Sequence, residues 1–252
     1  MASILAVANQ KGGVGKTTTV VNLGASLAAN DADVLILDMD PQSNATSGLG
    51  IDPSADGMMS LLLGKGDIDS LAVATEVEGL FVVPGTRDLA GLEIELASIE
   101  GRQGLLRESI RSDGRLQGFD YVLVDCPPSL GLLTINSLVA ADGVLLPIQS
   151  EYYALEGLSH LLDTISRIRR LWNPSLRIQG VLLTMYDGRL RLSREVEEDV
   201  SAHLGDALYK TRIPRNVRLG EAPSYGKPVL LYDAYSAGAR SYLRLAQELM
   251  DS

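Results

Sequence analysis

Short apolar runs and stretches of helical spacing alternate along the chain. "SILAVAN" (3–9) predicts a buried strand, and "TTTVVNLGASLAAN" (17–30) follows it with apolar residues at helical spacing. "DVLILD" (33–38), "LFVVPG" (80–85) and "DYVLVD" (120–125) predict strands of the same kind. "GVLLPIQ" (143–149), "RIQGVLLTM" (177–185) and a short segment at 207–213 extend the set. Helical patterns at 88–98, 102–112, 153–171, 191–204 and 236–251 lie between or after them. Wholly apolar strands interleaved with helices imply an α/β fold, a mostly parallel twisted sheet covered by helices on both faces. No repeat, low-complexity tract or linker divides the 252 residues, so one domain over 1–252 is expected.

In such sheets ligands sit at the carboxyl ends of strands, where loops meet helix amino termini. Three strand ends fit, at 10–17, 38–42 and 125–129, and they are expected to converge in space. The first lies in "NQKGGVGKTT" (9–18). The common phosphate loop G-x-x-x-x-G-K-[ST] matches at Gly15, Lys16 and Thr17, but its first glycine is replaced by Gln10. A second lysine, Lys11, comes next, followed by Gly12, Gly13 and Val14. Glycines let successive N–H groups turn inward around phosphates, and the following helix adds its positive dipole end. Lys16 is expected on the β- and γ-phosphates and the Thr17 hydroxyl on Mg²⁺.

Asp125 closes "YVLVD" as a carboxylate that could hold Mg²⁺, or one that simply caps the turn into "CPPS". "LDMDPQ" carries Asp38 and Asp40, which extended backbone would turn to one side. One can anchor the loop while the other orients an attacking water, although "DP" is also an ordinary turn signature.

Composition narrows the setting. Hydrophobic residues make up 46% and charged residues 21%, and no apolar run approaches the roughly 20 residues that span a bilayer. The single cysteine, Cys126, permits no intrachain disulfide and is expected to be a small buried residue in a cytoplasmic protein. His160 and His203 are isolated, without metal-ligand spacing. The net charge of −10 is uneven: residues 1–150 hold 19 acidic and 8 basic residues, residues 151–252 hold 13 and 14. Within 167–218, 11 basic residues face six acidic ones, which is either a basic patch or a set of solvated helix faces.

Together "KGGVGKTT", "LILDMDPQSNATSGLG" and "VLVDCPPSLGLLTINSL" resemble the deviant Walker A P-loop ATPases, specifically the ParA/Soj partition family. The resemblance runs on through "PIQSEYYALEGLSHLL", "GVLLTMYDGR" and "IPRNVRLGEAPSYGKPVLLYD", and so covers essentially the whole chain. It implies a slow ATPase that uses ATP and Mg²⁺ and forms a homodimer sandwiching two nucleotides. Lys11 then matches the signature lysine that crosses to the partner's phosphates, and Asp40 the carboxylate that positions water. The phosphate-contacting stretch runs from Lys11 to Thr18, and the adenine lies near 184–185 and 213–216, with Pro214 and Asn216 as contacts. Arg189, Arg215 and Arg218 fall where the family binds double-stranded DNA non-specifically, inside the basic segment. A ParB-like centromere-binding protein is the implied stimulating partner, and a cytoplasmic, nucleoid-associated location follows.

Plasmid-type relatives begin with a helix-turn-helix domain; here the first strand starts within a few residues, so operator-specific binding is not expected. A MinD-like membrane-positioning ATPase is the nearest rival, but "RLAQELMDS" finishes acidic rather than as a basic amphipathic helix. Positioning of a protein cargo would look the same in sequence. A nucleotide-gated module without turnover is opposed by the presence of both Lys16 and Asp40. Tyr232, Tyr235 and Tyr242 read as packing near the last helix.

Overall fold

The apolar runs pair into one sheet of eight strands: β1 (Ser3–Val7), β2 (Val34–Asp38), β3 (Val73–Ala74), β4 (Leu80–Val83), β5 (Tyr121–Asp125), β6 (Gly143–Gln149), β7 (Arg177–Tyr186) and β8 (Leu208–Pro214). This computed structural model describes residues 2–53, 56–111, 115–151 and 154–252. Strand order is β3-β4-β2-β5-β1-β6-β7-β8, parallel throughout except where β3 runs antiparallel to β4. Twelve α-helices are described: α1 (Lys16–Ala28), α2 (Asn44–Gly48), α3 (Met58–Leu62), α4 (Ile68–Leu71), α5 (Leu89–Glu95), α6 (Leu105–Arg111), α7 (Leu132–Ala140), α8 (Ala154–Leu171), α9 (Arg191–Leu204), α10 (Val217–Glu221), α11 (Val229–Tyr232) and α12 (Ala237–Met250).

Because successive strand side chains point to opposite faces, each strand feeds two cores. Ile4, Ala6, Leu35 and Leu37 pack on one face with residues of α3, α6, α7 and α8. Leu5, Val7, Val34 and Ile36 pack on the other with residues of α1 and α12. Burial on both sides explains why these strands carry no polar alternation. Each fully buried leucine among them contributes about 2 kcal/mol relative to exposure.

The chain leaves β1 toward β2 on one side and later returns to place β6 on the other. The crevice beyond the carboxyl end of β1 is therefore the topological switch point of the sheet. In register, Val7 pairs with Asp125 and Asp125 with Asp38, so the three strand ends anticipated from sequence do meet.

Some boundaries differ from the sequence expectation. The 80–85 strand stops at Val83 because Pro84 has no N–H to give the ladder. The Pro84 carbonyl accepts from Met58 N at 2.9 Å instead, and a Cβ on Gly57 would lie 2.0 Å from that oxygen. The helices expected at 88–98 and 102–112 are each part 3-10: α5 tightens into Leu96–Ser98, and Arg102–Gly104 precedes α6. Left-handed Gly101, φ 76°, separates them. Residues 112 and 153, the ends of two expected helices, lie outside the described residues. The short β3 and helices α2, α3, α4, α7, α10 and α11 were not singled out by periodicity, being too brief or, for α7, apolar nearly all round.

Candidate functional site

The loop between β1 and α1 takes its shape from glycines in left-handed backbone, Gly13 at φ 76° and Gly15 at φ 89°. A Cβ added at Gly12 or Gly13 would touch nothing within 4 Å, so the space beside them is open for a ligand rather than filled by protein. Gly15 caps α1 without a side-chain hydrogen bond, and the first turn holds no acidic residue. A 13-residue helix that begins with uncapped N–H groups beside an open glycine turn is built for an anion.

Three side chains fix this loop to the sheet. Asn9 accepts from Lys11 N at 2.9 Å and donates to Pro147 O at 2.7 Å. Thr184, near the end of β7, donates to Val14 O at 2.8 Å, with Ile148 O at 3.2 Å. Lys16 is buried, and its Nζ reaches the Lys11 carbonyl at 3.3 Å. Burial lowers the Lys16 pKa, while the carboxylate of Asp125 works against that shift. Lys11 is exposed and forms an ion pair with Glu151 of its own chain, just past β6.

Three carboxylates sit behind the loop. Asp38 is fully buried and accepts from Thr46 N (2.8 Å), Thr46 Oγ1 (2.6 Å) and Asp40 N (3.3 Å). Burial pushes its carboxyl up to about 6 despite these bonds. It is the anchor: Thr46 Oγ1 in turn accepts from Gly85 N at 3.0 Å, tying β2, α2 and the end of β4 together. Asp40 lies two residues past the strand and accepts from Gln42 N at 2.9 Å.

Asp125 differs from both. It is fully buried, and neither carboxylate oxygen has a hydrogen-bond partner. Its pKa is raised well above the usual range by burial and then by Asp38; the nearby Thr17 hydroxyl favours the charged form without closing a well-formed bond. A buried carboxylate left without partners is costly unless a cation joins it. The donor set therefore fits a hard divalent ion, to which Asp125 and Thr17 would offer oxygens beside those of phosphate. Among the described residues no cluster of three or more His, Cys, Asp or Glu could cage a metal by itself.

Beside the loop lies a cavity of about 210 Å³, lined by Gly15, Thr18, Met185, Pro214, Asn216 and Tyr242 among others. It occupies the place expected for the base, and its walls are apolar with few polar groups, as small-molecule pockets are. Met185 holds φ 50°, an uncommon backbone for a long side chain, at its rim. Asn216 spends its carbonyl oxygen capping α10 by accepting from Arg218 N at 3.0 Å.

The three arginines lie apart from the loop but at the same end of the sheet, following β7 and β8. Arg189 is 91% exposed and forked onto Asp187, whose pKa it holds at about 2. Arg215 is exposed and lines the same cavity. Arg218 pairs with Glu221 (2.8 Å) and Asp233 (3.3 Å), and its guanidinium lies 6.0 Å from the Tyr232 ring centroid. Arg212, by contrast, is tied down on Glu197 and Tyr209 O.

The charge asymmetry is spatial. The basic 167–218 segment carries β7 and β8, one edge of the sheet. Residues 52–100, with ten acidic and two basic residues, carry β3 and β4 at the other.

Sequence reasoning missed Thr46, Glu151 and the structural part of Thr184; only Thr46, four residues into the "SNATSG" helix start, had a polar signal pointing inward. Tyr242 is buried as expected, its hydroxyl 3.2 Å from Thr19 Oγ1. Tyr235 is a correction: it is 87% exposed, because it sits on the loop between α11 and α12 rather than on the helix. Cys126 is buried, as expected.

A parallel sheet with a glycine loop, an uncapped helix and a buried carboxylate at its switch point defines a P-loop nucleotide-binding protein. An AAA domain family model matches residues 2–178. The chromosome partitioning protein ParA of Caulobacter vibrioides is 52% identical over 98% of this chain and 93% of its own length. The sporulation initiation inhibitor protein Soj of Bacillus subtilis is 52% identical over 99% and 98%. The chain belongs to the ParA/Soj family of chromosome-partitioning ATPases. Among solved structures, a Mycobacterium smegmatis protein described as cobyrinic acid a,c-diamide synthase with bound ADP and magnesium superposes with a TM-score of 0.84 at 38% identity. It covers 99% of this chain and 94% of that one. The cell division ATPase MinD of Pyrococcus furiosus gives 0.82 at 27% identity, covering 100% and 99%. Among the described residues, no helix is long and apolar enough to cross a membrane.

Proposed function

We propose that this chain is an ATP-dependent partition protein acting on chromosomal or plasmid DNA, folded as one domain. The observation that carries the nucleotide half is Asp125, a buried carboxylate without partners directly behind an open phosphate loop. Lys16 leaves the Lys11 carbonyl for the β- and γ-phosphates, while N–H groups of residues 11–18 cradle them. Thr17 and Asp125 would hold Mg²⁺, which would supply positive charge to offset that of the phosphates. Asp40 orients the attacking water in line, a placement that Asp38 secures by anchoring the loop between them. Pro214 and Asn216 border the base.

Lys11 reaches the partner's phosphates in an ATP-bound homodimer, and doing so requires it to leave Glu151. Dimerisation sets two copies of Arg189, Arg215 and Arg218 along one surface, and the doubled patch binds duplex DNA without reading sequence. A ParB-like protein stimulates hydrolysis and release. The basic edge lying opposite the acidic one supports this reading, because it gives the protein one side that DNA attracts and one that it repels. A membrane platform is disfavoured: Tyr242, Leu245 and Leu249 of α12 pack into the core beside α1, so the apolar face of that helix is committed to the protein interior.

The test is binding to random-sequence duplex DNA with ATP, with ADP and without nucleotide across a salt series. ATP-dependent binding that weakens with salt is expected. Absence of binding in all three states overturns the DNA surface and leaves a dimerising ATPase whose platform lies elsewhere.

A further inference from the structure

Resting on the DNA-binding reading above, a second feature of the same rim stands out. Among the described residues, the only aromatic side chains that are largely exposed are Tyr225 (65%) and Tyr235 (87%). Both lie within one short stretch of the fold, together with the exposed aliphatic residues Val217 and Leu231. Distances join this stretch to the basic segment. Tyr225 stacks on Tyr232 at 5.1 Å between centroids, Arg218 lies over Tyr232, Arg218 pairs with Asp233, and Asp233 accepts from Tyr235 N at 3.2 Å. The sequence from Lys210 to Arg218 supplies four basic residues and no acidic one.

Exposed aromatic rings leave apolar surface in water, even where Tyr225 stacks on Tyr232, so such a cluster marks a contact surface. Its neighbours argue for nucleic acid as the occupant: exposed rings beside Arg218, at the edge of a basic segment, suit a polyanion whose backbone also offers apolar sugar surface. A tyrosine also contributes in a way an arginine cannot. Its neutral hydroxyl can donate to phosphate or sugar, and its ring can cover deoxyribose, without displacing a counterion.

We propose that Tyr225 and Tyr235 contact DNA directly and supply a salt-insensitive part of the affinity, beside the salt-sensitive part from Arg218. The residues are exposed and outside the nucleotide site, so their replacement leaves ATP-driven dimerisation intact.

The experiment is binding of a labelled random-sequence duplex in ATP over a potassium chloride series, for the parent, Arg218→Ala and the double variant Tyr225→Ala/Tyr235→Ala. Arg218→Ala is expected to give a shallower dependence of log affinity on log salt. The double tyrosine variant is expected to bind about tenfold more weakly at every salt concentration with the parent's slope. If the tyrosine variant binds like the parent while Arg218→Ala weakens, this proposal fails and the DNA reading stands. A parent that binds no duplex overturns both. If the tyrosine variant keeps its DNA affinity but loses stimulation of hydrolysis by a partner protein, the patch belongs to that protein and the proposal is overturned.

Discussion

Asp38 and Asp125 are register partners at the carboxyl ends of β2 and β5, both fully buried, yet only Asp38 is hydrogen-bonded. Two adjacent carboxylates in the interior raise each other's cost of ionisation. The fold tolerates this through a division of labour. Asp38 holds the loop that carries Asp40, and Asp125 is left without a hydrogen-bond partner, as the proposed metal role requires.

That arrangement makes the ligand-free protein sensitive to pH. The Asp38 pKa is raised from 3.8 to about 6, so the folded state holds its proton more tightly than the unfolded chain. Folding stability from this group is therefore greatest below about pH 4 and is lost as pH rises through 6, by about 3 kcal/mol at most. Asp38→Asn is expected to flatten the pH 4–6 portion of the urea-derived stability curve. A curve of unchanged shape counts against the raised pKa.

Asp125→Asn replaces a buried carboxyl group whose oxygens have no hydrogen-bond partner and whose ionisation burial and Asp38 oppose. The variant is expected to be more stable than the parent without ligand, by about 1–3 kcal/mol or several degrees in Tm. The stabilisation that Mg²⁺ and ADP give the parent is expected to shrink in it. Thermal melts of both proteins with and without Mg·ADP decide the matter, and equal ligand-induced shifts would remove the metal assignment.

Lys11→Ala removes only an exposed ion pair from the monomer, a loss worth about 0–1 kcal/mol. Its Tm is expected to stay near the parent's, while light scattering in ATP is expected to find a monomer. A stable ATP dimer of this variant would end the cross-subunit role.

The strands and the glycine loop were legible in the sequence because each is a dense local signal: continuous apolar runs, and glycines beside Lys16 and Thr17. Their convergence was legible too, since parallel sheets place strand ends together. The supports were not. Thr46 meets Asp38 only because α2 folds back over β2, and Glu151 meets Lys11 because β6 neighbours β1. Tyr235 misled because three tyrosines near a helix look alike until the Asp233–Ser236 turn lifts one of them out.

Thr184 illustrates such a support. Its hydroxyl donates to Val14 O, so Thr184→Val leaves a buried loop carbonyl without that bond. A loss of about 1–3 kcal/mol is expected, with weaker ATP binding because the loop is less ordered before the phosphates arrive. Isothermal titration with ATP alongside urea unfolding measures both; stability lost with ATP affinity unchanged would confine Thr184 to a structural role.

On the proposed DNA-binding role, the arginine rim is held in check by its own neighbouring carboxylates. Arg218 is shared between Glu221 and Asp233, two carboxylates that compete with phosphate for the same guanidinium. Glu221→Gln keeps the side-chain length and the oxygen that accepts from Tyr232 Oη, but removes one negative charge beside Arg218. The pair is solvent-exposed, so stability is expected to change by less than about 1 kcal/mol. DNA affinity in ATP is expected to rise several-fold at low salt, with the gain fading as ionic strength increases, because screening weakens both the competition and its relief. Duplex binding of parent and Glu221→Gln at two salt concentrations is enough to judge it. An affinity that is unchanged or lower at low salt would mean that Arg218 does not face the DNA, and its contacts with Glu221 and Asp233 would then be its whole purpose.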